Sequence, residues 1–508
     1  MYTFLIGIAI LIVGYLTWGK LAEKIFAPDK RLTPALAEPD TYERVPLSRK
    51  RNLLLQLLNI AGLGPILGAV LGILFGPIVF ILLPIGNIIG GTVHDYFVGM
   101  ISMRNHGNDL MQLIAKFLGG KLSWVFTIFF AAGLLMLVAN YIVIPASIIS
   151  ELLPYGIGIF IAVIVLILAY NIISSLFPID KIIGKIYPYI GAFALIPTLM
   201  LGVVVFSFHA GEIPDIPLTV DGFLSAFTIH PQGQPILPML LITISCGILS
   251  GFHATQSPII SRTVTSEHDG RKIFYGMMVL EGVIAMVWAA AASVFFTANP
   301  DAAAAGMSGN EIVYYSMVHL IPPFLITIPI IALLLLAVTS GDTALRVLRT
   351  STASLLNKEQ KTPRQRIIFL LPFVGIVTAL IVWAIVSSNG FLILWNYFSW
   401  INQIIACFAL LMITVYLASK TKKAWLISAI PAAGIIFICV SYILWVSPAH
   451  LAGAPVGFGL PLEISYIAGV VFAVLLPVLA VFHGKKLSKR EDFSADEPAV
   501  YPADNTKE

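Results

Sequence analysis

Apolar residues fill runs of about 20 positions that recur from one end of the chain to the other, the length an α-helix needs to cross a hydrocarbon core about 30 Å thick. Thirteen such runs are read, near residues 2–18, 53–75, 77–102, 122–149, 155–177, 185–208, 236–261, 272–297, 321–349, 367–387, 391–418, 424–446 and 464–483. Two of them are interrupted. Gly62-Leu63-Gly64-Pro65 breaks the second run, and Ser250-Gly251-Phe252-His253 breaks the seventh. Backbone groups released inside hydrocarbon have no water to bond, so a break there needs a reason. Two breaks in corresponding positions are the sequence pointer to the substrate and ion site of a secondary transporter.

Charge sorts the loops between the runs. The segment Gly19–Asn52 carries eight basic residues, and Arg104, Lys116, Lys121, Lys181, Lys185, Arg262, Arg271, Lys272, Arg346 to Arg366, Lys420 to Lys423 and the tail fall on the same side. The alternate loops, around Glu151 and over 209–235, 299–320, 387–390 and 447–460, hold no Lys or Arg. The positive-inside rule then sets the N-terminus outside and the C-terminus in the cytoplasm. The first run lacks a preceding basic residue and a small-residue cleavage site, so it reads as a retained helix and not a leader.

The same count gives the architecture. Four intact runs separate the two broken ones, which makes two sets of five, and because five is odd the breaks run through the membrane in opposite directions. An all-α polytopic membrane protein with a LeuT-like 5+5 inverted repeat is expected, with one extra helix before the repeats and two after. Its parts are an N-terminal helix and basic linker (1–52), a first repeat (53–208), an external loop (209–235), a second repeat (236–418), two C-terminal helices (419–484) and a tail (485–508). No residue-level identity links the halves.

Composition agrees: 58% of the 508 residues are hydrophobic and 11% charged, too few charges for a water-facing surface. Cys246, Cys407 and Cys439 are isolated within apolar runs, so no disulfide framework or CxxC metal pair is read. No P-loop, HExxH or GxSxG occurs, which argues against a pump driven by nucleotide and against an enzyme. No cofactor and no nucleic-acid partner is expected.

The polar residues inside the runs are the candidates. Gly62, Gly64 and Gly68 also suit close helix approach, but Pro65 lacks an amide hydrogen and cannot sit silently inside a regular helix. Ser250, Gly251, Phe252, His253 and Gln256 belong to a second break whose polar density packing does not require. Substrate binding is assigned to these positions together with Gly62, Gly64 and Pro65. Thr339 and Ser340 either supply hydroxyls to a coupling ion, completed by carbonyls from Asn59 to Gly64, or bond to carbonyls a turn back in their own helix. Glu281 lies within a run, where a charged carboxylate costs at least about 2.5 kcal/mol, so it is protonated or paired, as a proton relay or as a structural hydrogen bond. Asp342 has Arg346 one turn on, and a local ion pair is expected. His94 and Asp95 are adjacent and are expected to point to different faces. Imidazole is the side chain that can change charge near neutral pH, and His253 either senses protons, contacts substrate or caps an unwound turn. Helix N-termini at the breaks favour a carboxylate ligand.

These motifs resemble those of the carbon starvation protein A (CstA) family. The resemblance rests on Gly62 to Gly68, Phe75-Gly76-Pro77, Gly91-Thr92-Val93-His94-Asp95-Tyr96, Ser102 to Gly107, Ser250 to His253, Tyr275-Gly276 with Glu281, Thr339 to Arg346, and Leu394-Trp395 through Asn402-Gln403, over residues 53 to 410. It implies a bacterial inner-membrane uptake carrier for peptides or pyruvate, produced when carbon runs short, within the amino acid, polyamine and organocation transporters. Ala69 stands where many members have proline, and Gln256-Ser257-Pro258-Ile259 replaces a frequent Ser-Gly-Thr-Thr run. The expected function is a cation-coupled carrier, driven by H⁺ or Na⁺, moving a small carboxylate-bearing nutrient by alternating access across the bilayer. The alternative is a membrane-embedded receptor that binds the same ligand without moving it.

Overall fold

The structure is a computed structural model that describes residues 1–501 apart from 41–42, 153–156, 178–185, 228–229, 357, 359, 388 and 452; Lys181 and Lys185 lie outside the described residues. Thirteen helical spans cross the molecule: α1 (Tyr2–Phe26), α2 (Arg49–Ile60 and Leu63–Phe75, bent by 51°), α3 (Val79–Met103), α4 (Gly120–Leu152), α5 (Ile157–Leu176), α6 (Tyr187–Phe208) and α7 (Ile236–Ser261). They continue as α8 (Glu267–Ala298), α9 (Thr327–Leu355), α10 (Pro363–Val386), α11 (Gly390–Lys420), α12 (Leu426–Trp445) and α13 (Leu462–Leu487). All regular structure among the described residues is helical.

Two spans reach further than their apolar runs. α1 continues to Phe26 because its last two turns are amphipathic: Gly19, Ala22 and Phe26 are buried, while Glu23 pairs with Arg271 at 2.7 Å. α9 starts at Thr327, since the preceding residues form a separate helix, Gly309–Leu320, closed by a capping box between Ser308 and Glu311. Its far end extends beyond residue 349 to Leu355.

α3, α7, α8, α9 and α11 form the interior. α5, α6, α10 and α13 turn large apolar side chains outward, including Val165, Leu166, Leu199, Val203, Ile368, Val386, Ile467 and Phe482. In water such a surface would aggregate; against lipid tails it is the expected exterior.

Met1 and the described segment after α13 lie on opposite faces. The Met1 amino group pairs with Asp215, between α6 and α7, at 2.5 Å. On the other face the segment after α13 folds back over the bundle: Asp496 takes Lys420 at 2.6 Å, Arg104 at 3.3 Å and the Tyr416 hydroxyl at 2.8 Å, and Glu497 takes Lys116 at 2.8 Å. Burial pushes the Asp496 carboxyl up, but Lys420 and Tyr416 outweigh it and hold it below its ordinary value. Arg104, just beyond α3, is also clamped by the buried Glu267 at 2.9 Å.

Candidate functional site

The helical ladder of α2 stops for two residues. Ala61 (ψ 52°) and Gly62 (ψ −167°) leave the helical region, and a new helix starts at Leu63. Pro65 therefore falls in the first turn of the second half-helix, where a missing amide hydrogen leaves no bond unmade, and the break is Ala61–Gly62 and not the whole stretch to Pro65. The exposed Gly64 amide donates to the Tyr141 hydroxyl of α4 at 3.1 Å. A Cβ on Gly62 would lie 3.2 Å from that hydroxyl and 3.3 Å from Ser340 Oγ of α9. Thr339 donates to the carbonyls of Leu335 and Leu336, and Ser340 to that of Leu336, each at 3.0 Å. Their hydrogens thus stay within their own helix, while the Ser340 oxygen abuts the break. Asn59, a turn earlier on α2, is buried with its Nδ2 unbonded.

α7 breaks at Leu249 and Ser250, both extended, so Gly251, Phe252 and His253 are the first turn of the next half-helix and Thr255, Gln256, Ser257 and Pro258 lie along it. Its free amides are met from α11: Phe252 donates to Asn402 Oδ1 at 2.8 Å, while Asn402 Nδ2 donates to Ser250 Oγ at 3.1 Å. The Gly247 carbonyl, freed by the break, accepts from Asn87 of α3 at 3.1 Å. Gln256 Oε1 and Ser257 Oγ have no partner. The two breaks sit side by side. A Cβ on Gly64 would be 3.3 Å from Cys246 Sγ, and one on Gly68 would be 2.5 Å from the Thr243 carbonyl. Tyr141 and Asn87 belong to no motif or spacing that pattern reading could single out; only their depth in the bundle marks them.

Four titratable side chains form a line beside the second break. His94 Nδ1 is 2.8 Å from Asp95 Oδ1, Asp95 Oδ2 is 3.3 Å from His253 Nδ1, and His253 Nε2 is 3.5 Å from Glu281 Oε1. All four are buried. The expectation that His94 and Asp95 diverge is overturned: the imidazole reaches around the helix to its neighbour's carboxylate. Glu281 otherwise makes no hydrogen bond. Burying two carboxylates and two imidazoles together is tolerable only with protons shared among them. Each imidazole can take a proton on one nitrogen and yield it from the other. Among the described residues, no three His, Cys, Asp or Glu side chains are placed to hold a metal ion.

Asp342 does not pair with Arg346. Its Oδ2 accepts hydroxyls from Ser174 of α5, at 2.7 Å, and from Tyr187 of α6. Arg346 instead donates to the carbonyls of Ser174 and Phe177, each at 2.8 Å, where the end of α5 leaves carbonyl oxygens with room to accept.

A cavity of about 520 Å³ opens on the face that holds Met1, lined by Leu67, Thr243, His230, Asn310, Trp395 and Tyr442 among others. Its ring centroid 4.3 Å from that of Phe75, His230 is pushed down to about 4 by burial and stays neutral. A second cavity of about 420 Å³ opens on the basic face, lined by Arg262, Arg346, Arg349 and Arg366 among others. Neither is lined by the four-residue chain.

The profile of the family described as carbon starvation protein CstA matches residues 1–169, 160–318 and 299–442, most of the chain. The chain belongs to this family. An uncharacterized membrane protein of Haemophilus influenzae is 39% identical over 61% of this chain and 95% of its own length. The peptide transporter CstA of Helicobacter pylori is 27% identical over 51% of this chain and 46% of its own, and the pyruvate/proton symporter BtsT of Escherichia coli is 25% identical over 59% and 51%. The chain thus aligns with about half the length of these two named transporters. A crystal structure of the Eremococcus coleocola manganese transporter superposes with a TM-score of 0.56 over 89% of this chain and 99% of that one, at 13% identity, a likeness of fold alone. This CstA-family chain is an all-helical, multi-pass membrane protein, and its named relatives are membrane transporters.

Proposed function

We propose that the protein is a proton-coupled carrier that imports a small carboxylate-bearing nutrient, a peptide or pyruvate, by alternating access. The chain His94–Asp95–His253–Glu281 carries this reading. It joins α3, α7 and α8 and passes through His253, in the first turn of a broken helix whose amides favour a carboxylate. Substrate would lie between the breaks at Gly62, Gly64 and Gly251 to Gln256, with His253 in reach of both ligand and proton. In this reading the basic face is cytoplasmic and Met1 external, in a bacterial inner membrane, and production responds to carbon shortage as the family name suggests. Import rather than sensing is favoured by cavities that open on both faces of the molecule.

Sodium is the second reading, favoured by the Ser340 oxygen beside Gly62. Proteoliposome uptake of labelled pyruvate and of dipeptides separates the two. Accumulation under an imposed pH gradient, unaffected by removing sodium, is the expected result. Sodium-dependent accumulation that Ser340→Ala abolishes would replace it, and no accumulation of either solute under either gradient would end the carrier reading.

A further inference from the structure

Arg346 and Arg349 are 3% and 4% exposed and both line the cavity on the basic face. Among the described residues, neither has a carboxylate within ion-pairing distance. Arg346 is held by two carbonyls and Arg349 by the Gln360 amide, and the Nε of each has no partner. The two acids nearest at hand are engaged elsewhere: Asp342 takes hydroxyls from Ser174 and Tyr187, and Glu43 takes Arg262. Lys358, Lys361 and Arg366 line the same space, with Asp40, Glu43 and Asp109 as its acids among the described residues.

A buried charge without a close counter-ion costs several kcal/mol; the two carbonyls that Arg346 bonds at the end of α5 do not neutralise it, and Arg349 adds a second like charge. Their planar forks match carboxylate and phosphate oxygens two at a time. The cavity, about 420 Å³, holds a small organic anion. We infer that this cavity is an oxyanion-binding site on the basic face, with Arg349 and Arg346 as its principal ligands. The anion is either the carried carboxylate on its way off the carrier or a phosphate from the adjoining solution. Only the first source rests on the carrier reading.

The test is equilibrium labelling of the purified full-length protein by phenylglyoxal, with modification of Arg346 and Arg349 read by mass spectrometry. Pyruvate, a dipeptide and inorganic phosphate are compared with chloride at equal ionic strength. Protection of Arg349 of about fivefold or more by pyruvate or the dipeptide assigns the carried carboxylate, and equal protection by phosphate alone assigns a solution anion. Protection by none of them beyond chloride overturns the inference. A second measurement guards against misfolding. Arg349→Gln should leave the anion-free thermal midpoint unchanged or higher, because it removes an uncompensated buried charge, while abolishing any anion-induced rise in that midpoint. A variant that unfolds without anion, or that keeps the full rise, also counts against the site. Uptake enters none of these readouts, so failure here is distinguishable from failure of the carrier reading.

Discussion

The two breaks use the same backbone device and are met by different chemistry. At Ala61–Gly62 the gap faces neutral hydroxyls, Tyr141 and Ser340, at close range. At Leu249–Ser250 the next half-helix is pressed onto α11 and its first turn carries His253 into a line of titratable groups. One backbone device thus occurs twice, and the helices around each break differ in what they offer. In the proposed function the first break would take an uncharged or ionic guest and the second would move a proton.

Loss of the carboxyl at the end of that line gives the largest expected effect. A one-proton carrier can accumulate its solute about tenfold per unit of imposed pH difference, since one pH unit is worth about 1.4 kcal/mol. Glu281→Gln should collapse that ratio to about one while solute exchange at equal concentrations persists. If the variant still accumulates solute against its gradient, the division of labour between the breaks fails at its main point.

Packing gives the next largest effect, and it differs in sign of tolerance between the breaks. A Cβ on Gly251 would fall 2.1 Å from the Asn402 carbonyl, a backbone atom of another helix that cannot swing away. Gly251→Ala should cost about 3 kcal/mol or block assembly, whereas Gly62→Ala, which meets only hydroxyls at 3.2 and 3.3 Å, should cost below about 1 kcal/mol. Thermal unfolding of the two variants in one detergent makes the comparison, and equal losses would break it. Asn402→Ala follows, at about 1–2 kcal/mol, because the Phe252 amide then lacks its acceptor.

The thirteen spans were legible because lipid demands long apolar runs, and both breaks fell within a few residues of Gly and Pro positions that a helix resists. Their limits were misread for the same reason: Pro65 and Gly251 mark where a helix begins as readily as where one fails. Hydrogen bonding was less legible. Asp342 and Arg346 have ion-pair spacing, yet each found better partners on α5 and α6, which spacing along one helix cannot reveal. Likewise His253 could be singled out by its depth, but its meeting with Asp95 and Glu281 joins three spans distant in sequence.

Tyr141→Phe should produce the smallest effect and the finest test of the contrast. The hydroxyl accepts from the Gly64 amide at 3.1 Å and adjoins Gly62, so its removal should cost about 1 kcal/mol of stability. If the first break serves solute or sodium and the second serves protons, the variant should change the apparent affinity for solute or the response to sodium. The pH at which uptake is half-maximal should stay where it was, because no member of the line from His94 to Glu281 bonds to Tyr141. A shift of that midpoint would mean that the hydroxyl belongs to the proton path, and that the two breaks act as one site.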